Sequence, residues 1–198
     1  MLESNNTVDC KHKRQVDMHR DFFIRAENAI SNRFYLEAIF LEYAAIEGRL
    51  EVILGILGMP CNKMLDSTIR RKIGIADRVE CLRFCYCNNP LVFEKSKINY
   101  QFFSKKGPLN KWIIDRNAFI HGLYKNVDLY EQRTINECKR LSKDGLEYSR
   151  LLYNEAKRLN RILKNHPEQL INLTAMCRNK SCTAYMKCGR QEEAATHV

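Results

Sequence analysis

Within "IIDRNAFIHGLY", residues 113–124, an arginine and a histidine stand five positions apart. Arginine is a permanent cation whose flat fork of N–H donors matches a phosphate. Histidine changes charge near neutral pH and can give or take a proton. Together they suit phosphate chemistry: Arg116 would hold phosphate oxygens and His121 would move a proton. Asn117 lies four residues before His121, so the two share one face of a helix. Arg116 and His121 are about 140° apart around an ideal helix, so they flank a groove rather than stacking in one column. If Gly122 forms a left-handed cap, His121 sits at the helix C-terminus, where the dipole favours the imidazolium. The competing reading is a histidine satisfied by its surroundings with no chemical task.

Arg116 also interrupts an apolar row. Leu109, Ile113, Arg116, Ile120 and Leu123 are spaced 4, 3, 4, 3. A second row has the same interruption: Leu36, Phe40, Tyr43, Glu47, Leu50, Leu54 and Leu57. A charge on a buried seam is costly unless paired. Glu47 and Arg116 are therefore expected to face each other, within one chain or across a dimer interface. As a purely structural ion pair they would only fix how two helices pack.

The elements that must position these residues are helical. The spacing predicts a first helix over Val16–Ile30, ending near "SNR". A second spans 36–57, widened by Ile39, Ile46 and Ile53 and stopped by Gly58, Met59 and Pro60. A third is expected over Asp66–Cys85, along Ile69, Ile73, Ala76, Val79 and Leu82 or Arg83, before "CNNP" breaks the chain. Residues 91–106 fit short helical turns or an insertion loop. Pro108 suits the first turn of the helix carrying Arg116. A last long helix, Leu129–Lys164, has Cys138, Leu141, Gly145, Tyr148, Leu152, Leu159 and Leu163 along one side. No strand alternation, internal repeat or Gly-rich phosphate loop stands out. The expected fold is all-α, an up-down bundle of four or five helices over residues 16–165. A flexible N-terminus, 1–15, would precede it, and a poorly structured cysteine-containing tail, 166–198, would follow.

Composition narrows the function classes. The 198 residues suffice for one domain with a real core. Apolar residues make up 45%, with only four prolines and eight glycines, which favours a globular helical protein. Charges break the oily stretch 34–59, so no membrane-spanning segment is expected. The first twenty residues are polar, and no secretion signal is expected there. Nine cysteines then read as mostly reduced thiols in a cytoplasmic protein. Net charge is +10, with thirteen Lys/Arg against five Asp/Glu over residues 61–125. That surplus suits a polyanion such as RNA, or equally a solvated basic surface.

Other chemistries fit less well. Cys177, Cys182 and Cys188 lack the tight pair that structural zinc prefers, so no metal is expected. Cys81, Cys85 and Cys87 read as packed thiols. Hydrolase nucleophile motifs are absent from the sequence. "IRRK" is not preceded by a helix-turn-helix turn. Tyr86, Phe93, Tyr100, Phe102 and Phe103 could stack on single-stranded bases, but core packing is the expected role.

"RNAFIH", Arg116 to His121, resembles the R-N-x-x-x-H signature of the HEPN superfamily. "FLEYAAIEGRLEVIL" resembles the acidic second helix of such domains, with Glu42 and Glu47 as acidic candidates. The resemblance covers about residues 16–165; the segment 86–106 and the tail lie outside it. It implies a metal-independent, cofactor-free endoribonuclease acting as a homodimer, with Arg116 and His121 of two chains lining a shared cleft. Arg116 would bind the scissile phosphate and His121 would act as general base or acid during attack by the RNA 2′-OH. Asn117 would orient the site, and Glu47 would orient or pair with Arg116. The products would be a 2′,3′-cyclic phosphate and a 5′-OH. A toxin–antitoxin or phage-defence setting is implied, with a cognate antitoxin or partner protein. Some relatives of this kind only bind, so a non-catalytic interaction module that regulates a partner or holds nucleic acid is the alternative.

Overall fold

A computed structural model of the chain describes residues 21–57, 74–88, 96–123 and 131–166. These residues form an all-α helical bundle with five helices and no strand among them. We number the helices α1 (residues 21–31), α2 (Tyr35–Ile56), α3 (Ile75–Asn88), α4 (Pro108–Leu123) and α5 (Gln132–Asn165). The predicted terminators Gly58 to Pro60, the stripe residues Ile69 and Ile73, Phe93 and residues 167–198 of the cysteine-containing tail lie outside the described residues. So does the start of the first helix. No described helix is long and apolar enough to cross a membrane.

The chain divides into two compact units, and three helices contribute to both. The first unit takes the chain up to Gly48 and the stretch Arg116–Ser149; the second takes Arg49–Asp115 and everything from Arg150 onward.

In the first unit, α1 buries Ala26 and Ala29 and closes in a Schellman turn. Phe34 N–H donates to Ala29 O at 2.8 Å and Arg33 N–H to Ile30 O at 3.0 Å. Ser31 and Asn32 side chains donate to two further α1 carbonyls, those of Glu27 and Asn28. Arg33 holds the left-handed position, φ 64°, which usually goes to glycine. In α2 the buried line here is Ala38, Ile39, Glu42, Ala45 and Ile46. The 4, 3 row containing Phe40 and Tyr43 is its margin: Phe40 is 48% exposed and Glu47 is half-buried. Both rows repeat at helical spacing, so periodicity alone left the centre of the buried face open by about 100°. The first half of α5 supplies Thr134, Cys138, Leu141, Ser142, Gly145 and Ser149.

The second unit is richer in large side chains. Leu50, Ile53, Leu54, Leu82, Phe103, Leu109, Trp112, Leu152 and Leu159 are almost wholly buried. Gly74 immediately precedes helix α3, and its carbonyl accepts from Asp77 and Arg78 N–H. It buries Val79 and Leu82 but exposes Ala76, so its inner face is turned from the expected stripe toward Ile75, Cys81, Cys85 and Tyr86. Cys81 and Cys85 are buried thiols that form no disulfide. In the described part of the ambiguous segment, and on to Gly107, residues 99–107 make a succession of tight turns closed by i→i+3 bonds such as Phe103 N–H to Tyr100 O. Phe102 and Phe103 pack inward, Phe103 edge-on to Tyr86 at 4.9 Å, while Tyr100 stays exposed. Gly107 ends the turns where no side chain fits: a Cβ would lie 2.1 Å from Gln101 O. Asn110 donates to Ser104 O at 2.8 Å, fastening the turns to α4.

Glu155 of α5 ties this unit together. It is 3% exposed. Tyr86 O–H donates to its Oε1 at 2.5 Å and Ser96 O–H to its Oε2 at 2.8 Å. Arg158 grips both oxygens, at 2.7 and 2.9 Å. A buried carboxylate is tolerable when its lone pairs are filled in this way. The same contacts push the Tyr86 hydroxyl well above its ordinary pKa, burial first and then the Glu155 charge.

Candidate functional site

Arg116, Asn117 and His121 all belong to α4, and all three fall in the first unit. Pro108 starts the helix at a position where a missing N–H costs nothing. The helix runs through Gly122 to Leu123, so the glycine does not cap it as the sequence suggested. His121 still sits in the last turn, and it is exposed. An imidazole there is open to solvent. Along the axis it is about 7.5 Å beyond Arg116, at 1.5 Å per residue.

Arg116 is half-buried, and what holds it is aromatic. Its guanidinium carbon lies 4.2 Å from the Tyr43 ring centroid and 5.3 Å from that of Phe40. Tyr43 and Phe40 are three residues apart on α2, so they form adjoining faces for one flat cation. Nη1 donates to Asn117 Oδ1 at 3.0 Å. Nε is buried and meets no acceptor among the described residues. Burial lowers the Arg116 pKa, with Tyr43 opposing the shift, yet a guanidinium keeps its charge through the neutral range. The result is a cation stripped of part of its water and fixed in direction, ready for an anion that approaches its open edge.

Glu47 lies half-buried one turn beyond Tyr43 on the same margin of α2. The acid in the interior is instead Glu42, 1% exposed. Neither of its oxygens has a hydrogen-bond partner among the described residues. Burial, and secondarily the charge of Asp144, pushes its pKa up to about 10. At neutral pH Glu42 is therefore an uncharged acid. It adds no negative charge to balance Arg116 and cannot serve as a base.

Sequence reasoning missed the ring pair under Arg116. The signal was present: Phe40 and Tyr43 occupy the same 4, 3 row as Glu47, and an arginine meeting that row finds π faces as readily as a carboxylate. It also gave Glu42 no burial, because one acid among Ala, Leu and Ile residues at neighbouring positions fits either face.

Compared with protein-family models, curated proteins and solved structures, the chain matches none.

Proposed function

We propose that the chain is a HEPN-type endoribonuclease that cuts RNA at Arg116 and His121 without a metal. The observation that carries this is the seating of Arg116 on Tyr43 and Phe40, with Asn117 fixing one nitrogen and an exposed histidine following on the same helix. A fixed, partly dehydrated guanidinium stabilises the charge that grows on phosphate oxygens as a fifth bond forms. In the reaction the RNA 2′-oxygen attacks phosphorus and the bond to the 5′-oxygen breaks. The proton of the 2′-OH passes to a neutral His121 imidazole, and the departing 5′-oxygen takes a proton from an imidazolium. Two copies of His121, one from each chain of a homodimer, could fill these two roles. The ends would be a 2′,3′-cyclic phosphate and a 5′-OH. A toxin–antitoxin or phage-defence role, with a cognate protein that restrains the enzyme, suits such an activity.

The test is cleavage of several RNAs in EDTA by wild type, His121→Ala and Arg116→Lys. Cutting by wild type that both variants lose by two orders of magnitude or more supports the reading. Equal cutting by wild type and His121→Ala rejects it. A second reading draws on the exposed Ile24, Phe34 and Phe40 of the first unit. There the chain would be a non-catalytic module that docks a partner protein. It requires that Phe40→Ser abolish partner binding while His121→Ala leaves it intact.

A further inference from the structure

In the second unit, Arg49 of α2 is 6% exposed, yet among the described residues it takes part in no hydrogen bond or ion pair. What it meets is a ring: its guanidinium carbon lies 4.8 Å from the Tyr153 centroid. Lys157 Nζ lies 5.4 Å from the same centroid, and it too meets no carboxylate among the described residues. No Asp or Glu stands three or four places from either residue, where a helix would supply a partner. Other cations of this unit are answered at that spacing: Arg83 by Glu80, Lys111 by Asp115 and Arg158 by Glu155. Glu155, the one acid in the α5 stretch 150–165, is already filled by Arg158, Tyr86 and Ser96.

A buried cation without a counter-ion is costly. The ring answers part of its charge. It leaves most of the five N–H donors of a guanidinium without an acceptor. Burial lowers the Arg49 pKa and Tyr153 opposes the shift, but a guanidinium remains charged at neutral pH. Two cations thus gather around one ring with donors to spare. Lys157 is exposed and Tyr153 is 40% exposed, so this side of the ring is open to solvent.

We propose that Arg49, Lys157 and Tyr153 form a site for one small dianion of the phosphate class, inorganic phosphate or a phosphate monoester. Arg49 supplies a fork of donors held in place by the ring, and Lys157 is a point charge on a flexible stem that swings to the same anion. Two cations at one point match two charges on one group. A nucleic-acid backbone carries one charge per phosphate and calls for a track of cations instead. The bound anion would join α2 to α5. The site shares no residue with Arg116 and His121, and it stands whether or not they cut RNA.

The experiment uses the full chain, freed of phosphate, at pH 7.5 and at constant ionic strength set with chloride. Calorimetry measures binding of inorganic phosphate, glycerol 3-phosphate and acetate. Wild type should bind phosphate or the ester at one site per chain, and acetate at least tenfold more weakly. Equal or tighter binding of inorganic phosphate names the free ion as ligand; tighter binding of the ester names a monoester. Arg49→Met should lose at least tenfold and Arg49→Lys, which keeps the charge without the fork, about fivefold. Lys157→Gln should lose about threefold. Arg161→Gln, an exposed cation one turn further along α5, should stay within twofold. Without phosphate, Arg49→Met should unfold at the urea concentration of wild type or above it, because it removes an unanswered buried charge. With phosphate, wild type should be the more stable protein. The proposal is overturned if neither phosphate nor the ester binds, if acetate binds as well as they do, or if Arg161→Gln loses as much as Arg49→Lys. It is also overturned if Arg49→Met is destabilised equally with and without phosphate, for then the fold and not an anion holds the arginine.

Discussion

The guanidinium carbon of Arg116 lies 4.2 Å from the centre of the Tyr43 ring, and this contact between α4 and α2 sets the direction of the cation. Replacing Tyr43 with Leu keeps an apolar neighbour but removes the π face. A double-mutant cycle of Tyr43→Leu with Arg116→Met, followed by urea unfolding, should give a coupling of about 0.5–1 kcal/mol or somewhat more. Tyr43→Phe should retain most of it. A coupling near zero would mean that the ring and the guanidinium are neighbours without energetic consequence.

Glu42 makes a prediction about pH. Its folded pKa is about 10, while an unfolded glutamate titrates near the model value of 4.5. Between those values the folded state holds one proton more than the unfolded state, so stability contributed at this residue falls as pH rises. The slope is about 1.4 kcal/mol per pH unit. Glu42→Gln keeps the shape and removes the titration. At pH 5 the variant should match wild type closely, and by pH 8 it should be the more stable protein. Urea midpoints at pH 5, 6.5 and 8 check this; parallel curves for the two proteins would show that Glu42 is ionised in the fold.

Removing one donor from Glu155 should cost less than removing the acid. Tyr86→Phe or Ser96→Ala leaves the other donors in place and should cost about 0.5–1.5 kcal/mol. Glu155→Ala leaves a half-buried Arg158 and two hydroxyls without their acceptor and should cost about 2–4 kcal/mol. Thermal or urea unfolding gives the ranking directly.

Two backbone positions should respond in opposite directions. Arg33 pays for a left-handed φ of 64°, so Arg33→Gly should stabilise by about 0.5–1 kcal/mol. Gly107→Ala puts a methyl 2.1 Å from Gln101 O and 2.7 Å from Phe102 O, both backbone atoms. It should destabilise by more than about 2 kcal/mol, since the turns at 99–107 must move.

Much of the helical organisation was legible in the sequence because helices announce themselves by spacing. The second and last helices, the position of Pro108, the end of the first helix near "SNR" and the inward-facing Phe102 and Phe103 could all be read. What spacing cannot give is which of two adjacent rows is central. On α2 that difference decides whether Glu47 or Glu42 is the interior acid. Partner choice across helices is equally silent: Arg116 required an acceptor or a π face, and only the fold put Tyr43 there. The network on Glu155 was invisible for a related reason, since two of its donors come from residues 59 and 69 positions away.

That separation has a consequence for how the chain is made. As it leaves the ribosome, the Tyr86 and Ser96 hydroxyls emerge long before the carboxylate they will serve. Until Glu155 and Arg158 follow, water is their only substitute. Tyr86, the turns after Ser96 and the far half of α5 must therefore lock in one late event, and a nascent chain halted before that point would carry Phe103 and Trp112 without their finished enclosure, a natural mark for a chaperone or a protease.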